Sequence, residues 1–165
     1  MRAEFGAAMA AFVVAACSAP VAAEAPTLFE ALTRPSACFA RAYDAAHLAA
    51  HPHQTVIRFF VGEAGAAWRP TQTPGHFNVA FGFQIVGRPD IYAGVGICTP
   101  NGDRAACDIE GDGGAFTISR HDDGLRIDVT RMEVEGANDF SPDLAASDNR
   151  VMLLRPAAAT ECSAS

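Results

Sequence analysis

Ile91-Tyr-Ala-Gly-Val-Gly-Ile-Cys98, then Thr99-Pro-Asn-Gly-Asp-Arg-Ala-Ala106, then Cys107, is the stretch that decides the fold. Asn-Gly favours the left-handed backbone of a two-residue hairpin turn. Apolar residues flank it on both sides. The stretch therefore predicts two antiparallel strands joined at Asn101-Gly102. Cys98 and Cys107 flank that turn and are the local pair, which predicts a disulfide.

The same pattern continues outward. Phe77, Val79, Phe81, Phe83 and Ile85 alternate with Asn78, Ala80, Gly82 and Gln84, the period of a half-buried strand. Gly87-Arg-Pro-Asp90 turns the chain. Ile91, Ala93, Val95 and Ile97 are expected to continue the apolar face, with Gly94 and Gly96 opposite. After the Asn101-Gly102 turn, Ala105, Cys107 and Ile109 point inward. Gly111-Asp-Gly-Gly114 turns again, and Phe116 and Ile118 follow. After His121-Asp-Asp-Gly124, the residues Leu125, Ile127 and Val129 alternate cleanly. The phase then slips by one residue and Met132 and Val134 take the inward positions, which predicts a β-bulge. Gly136–Asn149 reads as a polar loop, and Arg150–Arg155 as the last strand, ended by Pro156.

Upstream, Cys38–Tyr43 reads as a first strand. Asp44 caps a short helix over Ala45–Ala50, which Pro52 prevents from continuing. Thr55–Gly62 is a second strand, rich in β-branched and aromatic residues. Glu63–Gly75 is a long loop. The count is about eight strands joined mostly by hairpin turns. That predicts an all-β domain, an antiparallel up-and-down barrel or meander, with a β-sandwich as the alternative. In an eight-strand meander the first and last strands meet on closure. A Cys38–Cys162 disulfide would join those two places.

Residues 1–23 read as an export signal: Arg2 in a short start, a ten-residue apolar core at Ala7–Ala16, and small residues before Glu24. Cleavage after Ala23 is the favoured reading. The alternative is lipidation at Cys17, since Val14-Ala15-Ala16-Cys17 resembles a bacterial lipobox. Residues 24–37 follow as an N-terminal tether with room for one helical turn. Residues 38–162 form a single disulfide-stapled domain. Export fits the cysteines, because disulfides persist in oxidising compartments. A periplasmic or secreted location is expected, with outer-membrane attachment if Cys17 is acylated.

Composition excludes several functions. The 165 residues carry a formal net charge of −7, and all twelve basic residues are Arg. Phosphate backbones need clustered positive charge, so nucleic acid is not an expected partner. Without Lys there is no Schiff base, P-loop lysine or Ser-Lys dyad. There is no Gly-x-Ser-x-Gly and no Cys-x-x-Cys.

Three groups remain as candidates. His47 and His51 share one face of the short helix, with His53 just beyond, a spacing that can hold Zn or Cu. The bland alternative is a surface helix with exposed histidines. Asp108-Ile-Glu-Gly-Asp-Gly-Gly114 resembles the start of a calcium loop, but Ser119 stands where the bidentate Glu belongs. It reads more simply as a solvated turn, and no cofactor is expected. Trp68, with Arg69 and Pro70, is either a binding anchor or a cap over a barrel end.

The expectation is a non-catalytic binding module. One version is a carrier whose apolar ligand meets Phe77, Phe81, Phe83 and Trp68, which requires an internal cavity of about 300 Å³ or more. The other is a protein-binding, inhibitor-like module with a filled barrel and a protruding loop, working through acidic turns against a basic partner. A periplasmic hydrolase or metal-dependent enzyme is the alternative class.

Overall fold

The computed structural model describes residues 26–65 and 74–163. Eight strands follow one another around a closed antiparallel barrel in chain order. They are β1 (Cys38–Ala42), β2 (Val56–Glu63), β3 (Phe77–Ile85), β4 (Ile91–Asn101), β5 (Arg104–Ile109), β6 (Gly114–His121), β7 (Gly124–Met132) and β8 (Val151–Pro156). Two short helices accompany them, α1 (Leu28–Thr33) and α2 (Ala45–Ala50). The up-and-down barrel is thus the fold, and the sandwich is not formed.

Alternation builds the interior. Phe77, Val79, Phe81, Phe83, Phe116, Ile118, Leu125, Ile127, Met152 and Leu154 are all buried. The bulge falls where the phase slips. Ala115 pairs with Arg131 and Phe116 with Val129, so Thr130 is the extra residue, and both Thr130 and Arg131 point to solvent.

Strand β4 faces opposite to the sequence expectation. Phe81 pairs with Gly94, Val79 with Gly96, and Phe77 with Cys98, so Tyr92, Gly94, Gly96 and Cys98 line the interior. Ala93, Val95 and Ile97 are on the outer face. The reason is volume. A Cβ on Gly94 would lie 2.8 Å from the Phe81 ring, and one on Gly96 would lie 2.9 Å from the Phe116 ring. The glycines leave room for aromatic rings from neighbouring strands. The Cys98–Cys107 bridge is consistent with this, because the two residues are direct cross-strand partners and must share a face.

The segment read as a tether supplies part of the core. Thr27-Leu-Phe-Glu30 forms a capping box: the Glu30 backbone N–H donates to Thr27 Oγ1, and the Thr27 N–H donates to the Glu30 carboxylate. Leu28, Ala31 and Leu32 are buried in the barrel's core cluster, and Phe29 meets Phe77 edge-on at 5.4 Å. Helix α1 lies at the end of the barrel where β2 finishes and β3 begins. The opposite end carries α2, the β3–β4 and β5–β6 turns and the long β7–β8 connection.

The two strands that close the barrel pair only at Phe39–Pro156 and Ala40–Arg155. The Cys38–Cys162 disulfide secures this seam from outside, with Cα atoms 5.7 Å apart. Cys162 packs on Gly62, whose Cβ would lie 2.8 Å from the Ala37 carbonyl oxygen and 3.1 Å from Cys162 Cβ.

Electrostatics adds an acid-sensitive component. The Arg126 guanidinium grips Asp128 through contacts of 2.7–3.0 Å and lowers its carboxyl pKa. Thr27 lowers that of Glu30 through the capping box. A carboxyl whose folded pKa is depressed stabilises the fold above its unfolded value, about 4, and loses that contribution as pH falls through the lower folded value. Asp128→Asn should therefore lower the melting temperature at pH 7. The gap from wild type should close as a melting series is carried down to pH 2. A gap that persists at pH 2 would refute the charge-based account.

Candidate functional site

Barrel rings pack on one another. Phe59 stacks on Phe81 and Phe83 at 6.4 and 6.1 Å, Phe81 meets Phe116 edge-on at 5.5 Å, and Phe83 stacks on Tyr92 at 5.5 Å. Phe77, Phe81 and Phe83, expected to contact a ligand, are at most 2% exposed and belong to the core cluster. The sequence could identify an aromatic inward face. It could not show that glycines on the next strand would let those rings fill the barrel. Trp68, Arg69 and Pro70 lie outside the described residues, as do Cys17 and the cleavage position after Ala23.

A broad concavity lies on the outside. A groove of about 980 Å³ lies between the outer face of β2–β4 and the turns at the end of the barrel. Its apolar surface includes Phe60, Ala80, Ala93, Val95 and Val134. Phe60 is held flat over Gly82, whose Cβ would lie 2.4 Å from the ring. Glu110, Asp112, Glu133 and Glu135 form the rim, with Arg131 the one basic residue in the lining.

The overhanging segment, residues 133–141, is tied down at many points. Val134 N–H donates to Ser141 Oγ at 3.0 Å, Ser141 N–H to Val134 O at 2.9 Å, and Glu133 N–H to Gly113 O at 2.9 Å. Gly136 sits against the Tyr92 ring at a spacing no side chain would permit. A charged knot completes the anchoring. Arg88 Nη1 donates to Tyr92 Oη and to Asp139 Oδ2, both at 2.6 Å, and Tyr92 Oη donates to Asp139 Oδ1 at 2.7 Å. These contacts, the Tyr92 hydrogen bond first and the Asp139 charge second, push the Arg88 pKa further up. This frame presents Phe140, which is 59% exposed, at the edge of the groove.

His47 and His51, with His121, line a second, smaller groove of about 420 Å³ along the β1–β8 seam. Tyr43, His47 and His51 stack as a column, with ring centroids 4.8 and 4.4 Å apart. Asp44 caps α2 as expected, accepting from the His47 N–H at 2.8 Å. Gln54 Nε2 donates to Val56 O, and its Oε1 faces His47 Nε2 at 3.0 Å. Stacked imidazoles direct their in-plane lone pairs side by side rather than toward one point. His53 is exposed beyond the helix. Among the described residues, no group of three or more His, Cys, Asp or Glu side chains is arranged to hold a metal ion. The acidic loop 108–114 instead contributes Glu110 and Asp112 to the larger groove.

Fold and surface together define a small, disulfide-stapled, closed antiparallel β-barrel with a packed interior and an outer groove. No family model, curated protein or solved structure matches the chain at a significant level. Among the described residues no helix is long and apolar enough to cross a membrane. The disulfides suggest an oxidising, extracellular-type compartment.

Proposed function

We propose that this is an exported, non-catalytic binding protein that engages a segment of a partner protein through the outer groove beneath Phe140. Its location is the periplasm or the exterior, with lipid attachment at Cys17 as the alternative to release. The carrying observation is the rigid presentation of an exposed aromatic over a concave apolar surface. A side chain held at low entropy cost, beside surface that can be desolvated, is the usual composition of a binding hot spot. The packed barrel supports this reading over an internal carrier, because the aromatic residues that would have contacted a ligand contact each other. The inhibitor-like version is carried here by residues 133–141; most of the loop Glu63–Gly75, the protruding loop expected from the sequence, lies outside the described residues.

Photo-cross-linking in the native envelope tests the proposal. Phe140→p-benzoylphenylalanine should yield one discrete protein adduct, and the same substitution at the exposed Leu153, on β8, should not. The proposal fails if the Phe140 position yields no protein adduct. It also fails if native mass spectrometry finds a bound apolar small molecule that survives Phe140→Ala.

A further inference from the structure

We infer that the segment seated in this groove is cationic as well as apolar: a short stretch carrying a large apolar side chain flanked by Arg or Lys. This rests on the binding reading above and adds the charge of the partner. The lining contains Glu110, Asp112, Glu133 and Glu135 against Arg131 alone, a formal charge of −3 from four acids and one base. The one cation is already engaged. Arg131 Nη2 donates to Glu133 Oε2 at 3.1 Å, and Nη1 donates to the Asp112 carbonyl at 2.8 Å. Glu110, Asp112 and Glu135 form no salt bridge among the described residues.

Sequence and topology place these carboxylates together from two separate turns. Glu110 and Asp112 lie in the turn joining β5 to β6, and Glu135 follows the bulge that ends β7. The Glu133 N–H bond to Gly113 O joins the two turns across the end of the barrel. The acids therefore border a shared apolar surface rather than forming an isolated patch. Like charges in this arrangement repel one another, and an arriving cation relieves that repulsion. An anionic segment meets unfavourable potential from the rim and from the chain's net charge of −7.

The apolar requirement has its own structural basis. Phe60, Ala80, Ala93 and Val95 offer no hydrogen-bonding side chain, so a purely polar segment would lose water without replacement. Phe140 on the opposite side supplies a ring against which an apolar side chain, or the stem and guanidinium of an Arg, can pack.

The experiment is selection of a randomised peptide display library on the full oxidised protein, counter-selected on Phe140→Ala. The expected result is enrichment of peptides with net positive charge and at least one large apolar residue. Their affinity should fall about tenfold in the triple variant Glu110→Gln, Asp112→Asn, Glu135→Gln, as three exposed ion pairs of ordinary strength would give. It should also fall as salt rises from about 0.05 to 0.5 M, where screening is strong. Peptides that need Phe140 but are neutral or acidic, or whose affinity is unchanged in the triple variant, would overturn the charge inference and leave the binding site standing. Failure to recover any Phe140-dependent peptide would overturn both. Circular dichroism and thermal melting of each variant exclude loss of fold as the cause.

Discussion

Replacing Cys38 and Cys162 together by Ala is expected to cost about 4–5 kcal/mol of folding stability, the largest effect of any change considered. The two residues are 124 positions apart. A cross-link over that distance removes most of the loop-closure freedom of the unfolded chain, and the entropy account assigns it about this value. By the same account the Cys98–Cys107 bridge, nine positions apart, is worth only about 2.5 kcal/mol. The fold adds a second reason. Strands β1 and β8 share two residue pairs, whereas β1 and β2 share five. Without the bridge the C-terminal turn, which rests on Gly62 and accepts a hydrogen bond from Arg58 at Glu161 O, has little to hold it to the barrel. Reversible urea denaturation of the double variant measures the loss. Amide exchange should rise first at the seam. A cost below about 1 kcal/mol, with unchanged exchange at Phe39 and Ala40, would show that the seam closes without the bridge.

Asn149→Ala is expected to cost about 3 kcal/mol, far more than an ordinary loop substitution. Asn149 is 2% exposed. Its Oδ1 accepts from the backbone N–H groups of Thr55 and Val56, both at 3.0 Å, and its Nδ2 donates to Thr55 Oγ1 at 2.9 Å. One side chain thus satisfies two main-chain donors at the start of β2 and ties them to the start of β8, 94 residues away. Removing it leaves the fully buried Val56 N–H without a partner, and an orphaned buried donor costs about 1–3 kcal/mol. The Thr55 N–H is only partly buried and water can recover some of its loss. Thr55→Ala removes one hydroxyl partner and keeps both main-chain bonds, so it should cost about 1 kcal/mol. Equal losses for the two variants in urea denaturation would rule out the clamp.

Asn149 also shows why parts of the structure escape a sequence reading. It stands in Ser147-Asp-Asn-Arg150, a run typical of polar loops, and nothing local separates it from Asp148. Its role comes from a partner 94 positions away. The groove has the same origin. Ala80, Ala93 and Val95 are ordinary strand residues until the barrel closes and the 133–141 segment folds over them. Phe140 was an apolar residue in a loop with no periodic neighbours to give it meaning. By contrast, the N-terminal helix had a legible signal in Thr27-Leu-Phe-Glu30, a capping box ahead of buried Leu28 and Leu32. Pro26 and Pro35 flank it, and read locally they favour a tether.

Strand β4 marks the boundary most clearly. Both of its faces carry apolar or glycine residues, so alternation alone selects neither. The cross-strand partners decide: Phe81 and Phe116 need the space above Gly94 and Gly96.

The sequence by itself determined the all-β class, the hairpin order, the bulge after Val129, the Asp44 cap and both disulfides. Each depends on contacts close in the chain, on a period of two, or on a fixed number of cysteines under the geometry of a closed meander. Only the tertiary structure decided which rings meet inside the barrel, that α1 joins its core, and that a concave surface lies outside it. Those outcomes depend on volumes and distances between residues far apart in the chain, which no local pattern encodes.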